Sequence, residues 1–387
     1  MENNSINTFN KLSVIGAGQI GPDILLHFSK MLSCNGIHLV LLDVAETALQ
    51  NAQKKIEKKI NKGLESGTFK PEQASIMKSS IKYSLDYADI SGSDLVLEAA
   101  TENESIKDGI FRKVESFCGE NTIFLSNSSH MKPELIFKNI SNKSRCLVAH
   151  YFFPADRNPV VELIPSLDTD IVLVEKLLVF YKTIGKVPIV VKSSYGYAID
   201  PIFEGLCQTA ILCLEKGCGN EKQIDKVACE TLGLGVGPFT ALNLTGGNPI
   251  TAHGLDEMGQ KLMGWFKTPD LLREAVNNKT NWNIALQGEG VDVPADLNDK
   301  LRDEFLGAYF SLVSFIIDLG ITNIDDLEKS CKLALSVKAP FTFMNEFGVA
   351  NALEMVKKFH DEHPSFNIPS SIEAAAKNGG WEMGLGK

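Results

Sequence analysis

The chain has 387 residues, of which 44% are hydrophobic and 22% charged, the ordinary mixture of a globular protein with two or three domains. Its formal net charge of −10 argues against nucleic acid and anionic membrane surfaces as partners, because both require a basic face. No apolar stretch reaches the roughly 18–20 residues of a membrane helix. We therefore expect neither a nucleic-acid partner nor a membrane partner.

The chain ends and the cysteines bear on the compartment. Residues 1–5 are polar and lack the apolar core of a signal peptide and the arginines of a transit peptide. Residues 384–387 do not form a peroxisomal address. None of the eight cysteines forms a C-x-x-C pair, so we predict free thiols and no metal site. Together these features predict a cytoplasmic protein.

Strand and helix patterns alternate in the first half of the chain. The first four elements follow the order strand, helix, strand, helix over residues 11–16, 23–31, 37–42 and 46–63. This order is typical of the βαβ unit of parallel sheets. Further strand-like runs cover residues 95–97, 122–125, 146–149, 160–164 and 187–191. We therefore predict an α/β Rossmann-type N-terminal domain over residues 1–192.

The second half of the chain has a different pattern. Beyond Tyr195 the strand patterns end, and helical periodicity continues. A weak internal repeat is visible there: Gly237-Pro238-Phe239 follows Ile224-Asp225-Lys226, and Ala339-Pro340-Phe341 follows Leu327-Glu328-Lys329. We predict an all-α C-terminal domain built from two helical repeats, with domains over residues 193–295 and 296–387.

A glycine-rich run follows the first strand and opens the first helix. Gly16 permits a tight turn, Gly18 lets the backbone approach a pyrophosphate, and Gly21 lets helix and strand pack closely. The helix N-terminus supplies free N–H groups and a positive dipole end. We assign the dinucleotide phosphates to Gly16, Gly18, Gln19, Ile20 and Gly21.

Two acidic residues flank this turn in different ways. Asp43 ends the second strand, where its carboxylate accepts hydrogen bonds from ribose hydroxyls and repels a 2′-phosphate. The cofactor is therefore predicted to be NAD rather than NADP. Asp23 lies in the first turn of the helix. Since it would repel a phosphate if it pointed inward, we expect Asp23 to face solvent.

Further motifs share one pattern along nearly the whole chain. They are Asp94–Ala99, Glu102-Asn103 with Lys107, Ser126–Ser129, His150–Pro154, Val161-Glu162, Ile184–Lys186, Gly196–Asp200 and Gly237–Phe239. In combination they resemble the L-3-hydroxyacyl-CoA dehydrogenase family. The second helical repeat resembles the tandem C-terminal domains of the longer members of that family.

The resemblance implies a role for each matching side chain. Removing a hydride from a hydroxyl-bearing carbon also requires a proton acceptor, and a neutral histidine suits that task. By resemblance, His150 is the base, and Glu162 holds its imidazole and stabilises the imidazolium. Ser129 would hydrogen-bond the substrate oxygen beside the nicotinamide. Glu102 and Lys107 match family positions near the cofactor.

Other positions bear on the substrate. By resemblance, the helix after the second strand meets the CoA phosphates, with the candidates Lys58, Lys59 and Lys62. Asp200 occupies the place of a family asparagine, which can donate to a developing oxyanion as an ionised aspartate cannot. Either Asp200 is protonated, or the substrate differs and presents a donor to it. Phe153 replaces a second asparagine, one that touches the cofactor in the family.

Three functions are consistent with these residues. The first is oxidation of an (S)-3-hydroxyacyl-CoA thioester to the 3-oxoacyl-CoA with NAD. The second is a related dehydrogenase of a free hydroxy acid. The third, motivated by Asp200 and Phe153, is a catalytically weakened dinucleotide-binding protein. The duplicated helical domain could replace a dimer surface, so we expect a monomer or a homodimer. Acyl-chain preference and direction of flux stay open.

Overall fold

The computed structural model describes residues 9–384 and divides the chain into two compact units, Met1–Ser193 and Ser194–Lys387. The domain boundaries predicted after residues 192 and 295 stay predictions. Residues 1–5 and 385–387, used above to predict the compartment, lie outside the described residues. None of the described helices combines the length and the apolar composition needed to cross a membrane.

The N-terminal unit is built on one eight-stranded sheet with the order β3-β2-β1-β4-β5-β6-β7-β8. Its strands are β1 (Lys11–Ile15), β2 (His38–Leu42), β3 (Ile81–Ser84), β4 (Leu95–Glu98), β5 (Ile123–Ser126), β6 (Cys146–Tyr151), β7 (Val160–Pro165) and β8 (Val187–Val190). All neighbouring strands are parallel except β6 and β7. The short connection between these two strands permits only an antiparallel pair.

The described part of this unit contains six α-helices: α1 (Gly21–Leu32), α2 (Glu46–Glu65), α3 (Pro71–Ser79), α4 (Glu104–Phe117), α5 (Pro133–Ile136) and α6 (Ile171–Thr183). The central strands β4, β5 and β6 are buried along their whole length, as expected for a sheet covered on both faces. The predicted α/β Rossmann-type fold is therefore confirmed. Strand β3 was not predicted, because only two of its four residues are buried and its pattern is weak.

Every element in the described part of the C-terminal unit is a helix. The helices are α7 (Asp200–Glu215), α8 (Glu221–Leu232), α9 (Pro238–Thr245), α10 (Asn248–Lys261), α11 (Asp270–Asn278), α12 (Ala295–Asp318), α13 (Ile324–Ala334), α14 (Pro340–Phe347), α15 (Val349–Glu362) and α16 (Ser370–Asn378). The first five helices and the last five follow the same order of long and short elements.

The two halves of this unit repeat the same aromatic contact. In the first half the rings of Phe239 and Trp282 lie 4.9 Å apart, and Asn243 Oδ1 accepts a hydrogen bond from Trp282 N at 2.9 Å. In the second half the rings of Phe341 and Trp381 lie 4.7 Å apart, and an asparagine Oδ1 again accepts from the backbone N–H of the tryptophan. The predicted pair of helical repeats is therefore confirmed.

In each repeat an acidic side chain on the second helix caps the N-terminus of the third helix. The Asp225 carboxylate accepts from Phe239 N at 2.8 Å and Thr240 N at 2.9 Å. The Glu328 carboxylate accepts from Phe341 N at 2.7 Å and from the backbone N–H of the following residue at 3.2 Å. Free N–H groups at a helix N-terminus require such acceptors.

All eight cysteines are free thiols, as predicted.

Candidate active site

The glycine turn has the backbone geometry that its sequence predicts. Gly16 has φ +108°, and a Cβ there would lie 2.4 Å from Ala99 O. A Cβ at Gly21 would lie 1.9 Å from Gly16 O. Neither position can hold a side chain without moving the backbone, so these glycines allow β1, α1 and the β4 end to pack closely.

Gly18 differs from its two neighbours in the motif. It is exposed, and a Cβ there would meet no atom within 4 Å. Within residues 9–384, the N–H groups of Gly18, Gln19 and Ile20 make no hydrogen bond. Open space beside free N–H groups at the start of a 12-residue helix suits a pyrophosphate. This cradle fits the phosphates of NAD.

Asp43 follows β2 and reaches the same turn. Its Oδ2 accepts from Ala17 N at 2.7 Å, and its Oδ1 accepts from Ala45 N at 2.9 Å. The carboxylate is half-buried and lies beside the first residues of the glycine turn, as expected for a group that binds ribose hydroxyls.

Replacing Asp43 by alanine is expected to raise kcat/KM for NADP relative to NAD by roughly tenfold, because the repulsion of a 2′-phosphate is removed. Affinity for both dinucleotides should fall, since Ala17 N also loses its acceptor. Steady-state kinetics with the two cofactors measure the ratio. Glu65→Ala, which removes an exposed carboxylate at the far end of α2, should not change it. An unchanged ratio in Asp43→Ala would exclude this role.

The expectation that Asp23 faces solvent is wrong. Its side chain is 1% exposed, and Oδ1 lies 2.9 Å from Lys55 Nζ and 2.8 Å from Lys59 Nζ. Lys59 also binds Asp156 at 2.8 Å. Since the two lysines lie on one face of α2, packing of α2 against α1 brings them over Asp23 and neutralises its buried charge.

The lysines predicted to contact CoA phosphates therefore differ from one another. Lys59 is already bound to two carboxylates, whereas Lys58 and Lys62 are exposed. Lys55, which was not predicted as a site residue, also donates to Gln19 O in the glycine turn at 2.8 Å. The i,i+4 spacing of Lys55 and Lys59 was the available sequence signal, because it places both ammonium groups on one face.

Glu98, Lys107 and Glu102 form a buried ion-pair network at the ends of β4 and α4. Lys107 Nζ lies 2.9 Å from Glu98 Oε1 and 3.2 Å from Glu102 Oε2, and both Glu98 and Lys107 are almost fully buried. Burial alone would lower the pKa of Lys107, but the two carboxylates outweigh burial and raise it. Glu98 was not predicted as a site residue. It also accepts from Ser126 Oγ at 2.6 Å.

Glu102 connects this network to the segment after β5. Its Oε1 accepts from Ser128 Oγ, from Ser129 N at 3.1 Å and from His130 N at 3.2 Å. Burial alone would raise the pKa of Glu102, but Lys107 and the hydrogen bond from Ser128 hold it at about 2. The carboxylate therefore stays ionised at neutral pH and fixes the backbone that carries Ser129.

His150 and Glu162 face each other across the antiparallel pair of β6 and β7, where they are register partners. His150 Nδ1 lies 2.9 Å from Glu162 Oε2, and both side chains are buried. The Phe152 ring lies 4.6 Å from the imidazole at an angle of 65°. Because a carboxylate only accepts, the Nδ1 that faces Glu162 carries a proton.

The remaining predicted residues are distributed over both units. Ser129 is half-buried after β5, and Asn127 Oδ1 accepts from Tyr151 N at 2.9 Å, joining that segment to β6. Asp200 is the first residue of α7 in the C-terminal unit. Its function stays a prediction.

Comparison with known proteins defines the class. The family model "3-hydroxyacyl-CoA dehydrogenase, NAD binding domain" matches residues 11–194. The fold and the glycine turn agree with this match, so residues 11–194 form an NAD-binding domain of the 3-hydroxyacyl-CoA dehydrogenase family. The sequence expectations of family and cofactor are therefore confirmed.

The share of a relative's length that this chain covers differs from one relative to another. A glyoxysomal fatty acid beta-oxidation multifunctional protein of Cucumis sativus is 30% identical over 61% of this chain and 32% of its own length. L-carnitine dehydrogenase of Oceanobacillus iheyensis is 27% identical over 78% of this chain and 98% of its own length. The chain thus spans about a third of the plant multifunctional proteins that it matches.

Solved structures share the fold. The 3-hydroxybutyryl-CoA dehydrogenase of Escherichia coli K12 has a TM-score of 0.82 at 16% identity, covering 96% of this chain and 99% of its own. The (S)-3-hydroxybutyryl-CoA dehydrogenase of Ralstonia eutropha has a TM-score of 0.65 at 23% identity, covering 71% of this chain and 96% of its own. At these identities the likeness shows the fold alone.

Proposed function

We propose that this chain oxidises an (S)-3-hydroxyacyl-CoA to the 3-oxoacyl-CoA with NAD, and that His150 is the general base. The observation that carries the proposal is the buried contact of 2.9 Å between His150 Nδ1 and Glu162 Oε2. It lies near the carboxyl end of β6, and the glycine turn follows the carboxyl end of β1 in the same sheet. Ligands of open α/β sheets bind at that edge.

The chemistry follows from the protonation of His150. When bound, NAD accepts the hydride from the hydroxyl-bearing carbon. The Nε2 lone pair of His150 accepts the hydroxyl proton, so the substrate loses a hydride and a proton and becomes a ketone. The Glu162 carboxylate keeps the Nδ1 proton in place and stabilises the imidazolium that forms. In the reverse direction the same imidazolium returns the proton to the ketone oxygen.

Ser129 is the second proposed contact with the substrate oxygen. Glu102 holds the backbone on both sides of it through the N–H groups of Ser129 and His130. Such fixing of a donor before the reaction is what makes it effective in stabilising developing charge. We assign Glu102 and Lys107 positioning roles, since both act through the segment after β5. CoA-phosphate contacts are proposed for Lys58 and Lys62, whose ammonium groups are exposed.

Asp200→Asn is expected to preserve or raise kcat if position 200 donates a hydrogen bond to the substrate oxygen, because the amide donates without needing a proton. If the carboxylate instead meets a donor on a different substrate, kcat should collapse. Initial rates on one substrate decide between these roles. Asp168→Asn, an exposed change in the N-terminal unit, is the control and should leave kcat unchanged.

NADH oxidation with a panel of 3-oxoacyl-CoA and free 3-oxo acids tests the proposed function. Turnover of acetoacetyl-CoA supports it, whereas turnover of free acids only would replace it with the second candidate. The observation favouring that candidate is the match to 98% of the length of L-carnitine dehydrogenase, which is named for a substrate other than an acyl-CoA. Tight NADH binding without any turnover would indicate the weakened dinucleotide-binding protein. A monomer or homodimer stays a prediction.

A further inference from the structure

A cavity of about 440 Å³ opens on the N-terminal unit, and no residue of the glycine turn or Asp43 lines it. Three segments form its wall: the second half of α1 with His27 and Lys30, the β6–β7 loop with Asp156 and Arg157, and the turn before β8 with Lys186. Its volume lies within the range of small-molecule sites, roughly 300–1,000 Å³.

Lys186 is a buried cation without a carboxylate partner in the described part of the chain. Its side chain is 4% exposed, and Nζ donates to Ala155 O at 2.6 Å and to Asn158 O at 2.7 Å. An ammonium group has three donors, so one is left for the face of the Tyr151 ring, whose centroid lies 5.4 Å from Nζ, or for a ligand. Burial lowers the pKa of Lys186 to about 8, with Lys30 adding to the fall and the nearby Asp156 opposing it. A bound anion would add to the partial compensation that Asp156 gives.

His27, which also lines the cavity, has a ring nitrogen without a hydrogen-bond partner among the described residues. It is 7% exposed, and its Nε2 lies 3.0 Å from Ile184 O. A carbonyl only accepts, so the proton lies on Nε2 and Nδ1 is a bare acceptor. Burial and the adjacent Lys186 lower the pKa of His27 to about 3, which keeps the ring neutral. Nδ1 is itself a buried atom, and among the described residues it has no hydrogen-bond partner.

The charges around the cavity are predominantly positive. Lys30 and Arg157 are exposed at its rim, and Lys186 lies in its wall. Asp156 is the one carboxylate in the lining, and its Oδ1 already binds Lys59 at 2.8 Å. Arg157 Nε in turn lies 3.9 Å from Asp156 Oδ2. Lys30, Arg157 and Lys186 therefore share this one carboxylate with Lys59.

We propose that this cavity binds a phosphomonoester at a site separate from the dinucleotide cradle. Arginine and lysine bind phosphate oxygens through charge-assisted hydrogen bonds. A phosphomonoester has a second pKa near 6, so a fraction of it carries an O–H that can donate to a bare imidazole nitrogen. Sulfate has no such proton at neutral pH. The proposal does not rest on the proposed dehydrogenase activity.

Calorimetric titration of the full chain with inorganic phosphate and with sulfate at equal ionic strength tests the site. We expect saturable 1:1 phosphate binding that is tighter than sulfate binding. Lys30→Ser and Arg157→Ser, both exposed changes, should each weaken it by roughly 3- to 10-fold. Lys113→Ser removes an exposed cation on α4 and should not weaken it. NADH affinity should be unchanged in all three variants.

Two ligands identify the source of the phosphate. If CoA binds more tightly than dephospho-CoA and Arg157→Ser abolishes that difference, the ligand is the 3′-phosphate of CoA. If the two bind equally while inorganic phosphate still binds, it is a separate phosphorylated metabolite. No saturable phosphate binding, equal binding of sulfate, or Lys30→Ser and Arg157→Ser behaving like Lys113→Ser would each overturn the proposal.

Discussion

Replacing His150 by glutamine is expected to lower kcat by about 10²–10⁴-fold, the usual loss when a general base is removed. Glutamine keeps a polar side chain of similar size, but it has no nitrogen that accepts the hydroxyl proton. NADH affinity should change little, because the glycine turn and Asp43 are untouched. Steady-state rates with acetoacetyl-CoA, together with NADH titration by fluorescence, separate the two effects.

Three further variants sharpen this result. His38→Gln is a matched control, since His38 is exposed at the first residue of β2, and it should leave kcat unchanged. Glu162→Gln should lower kcat less than His150→Gln, and Glu162→Asp should restore part of the rate because it retains a carboxylate. If His150→Gln stays within a few-fold of the wild type, another group is the base.

The second large effect is expected from Lys107→Met, which should lower the free energy of unfolding by about 3–5 kcal/mol. The substitution removes the cation that is paired with the fully buried Glu98, and it also removes the Lys107 contact of Glu102. Urea-induced unfolding measures the loss. Lys113→Met, an exposed change on the same helix, should alter the unfolding free energy by less than about 1 kcal/mol.

A double variant identifies the cause of that loss. Lys107→Met combined with Glu98→Gln removes the cation and one buried negative charge together, so it should regain part of the stability lost in Lys107→Met. If the double variant is no more stable than Lys107→Met, lost packing rather than unpaired charge explains the effect. A cost below about 1 kcal/mol for Lys107→Met would contradict the buried-network interpretation.

The buried ion pairs of Lys107 with Glu98 and Glu102 are contacts that motif matching did not indicate. The resemblance associated Lys107 and Glu102 with the cofactor. In the structure Glu102 accepts from Ser129 N, and Lys107 pairs with Glu102. Glu98 was part of the same motif, yet as the last residue of an apolar strand it gave no signal of its own. Its importance depends on Lys107 and Ser126, which lie 9 and 28 residues away.

Asp23 illustrates the opposite case, in which a local rule led to a wrong expectation. An acidic residue in the first turn of a helix is usually solvated and favoured by the helix dipole. Here it is buried, because Lys55 and Lys59 approach from a helix that is distant in sequence. The spacing of the lysines was visible, but the helix they would face was not.

The amino-acid sequence by itself determined the features that depend on neighbouring residues: the glycine turn, the α/β order, the two helical repeats and the family. Backbone sterics and apolar periodicity act over a few residues, so they can be read directly. The resemblance implied the pairing of His150 with Glu162, and the tertiary structure supplied its geometry. Only the tertiary structure decided that Lys107 joins two carboxylates and that Asp23 is covered. These contacts depend on strand register and helix packing, which are set by the whole core.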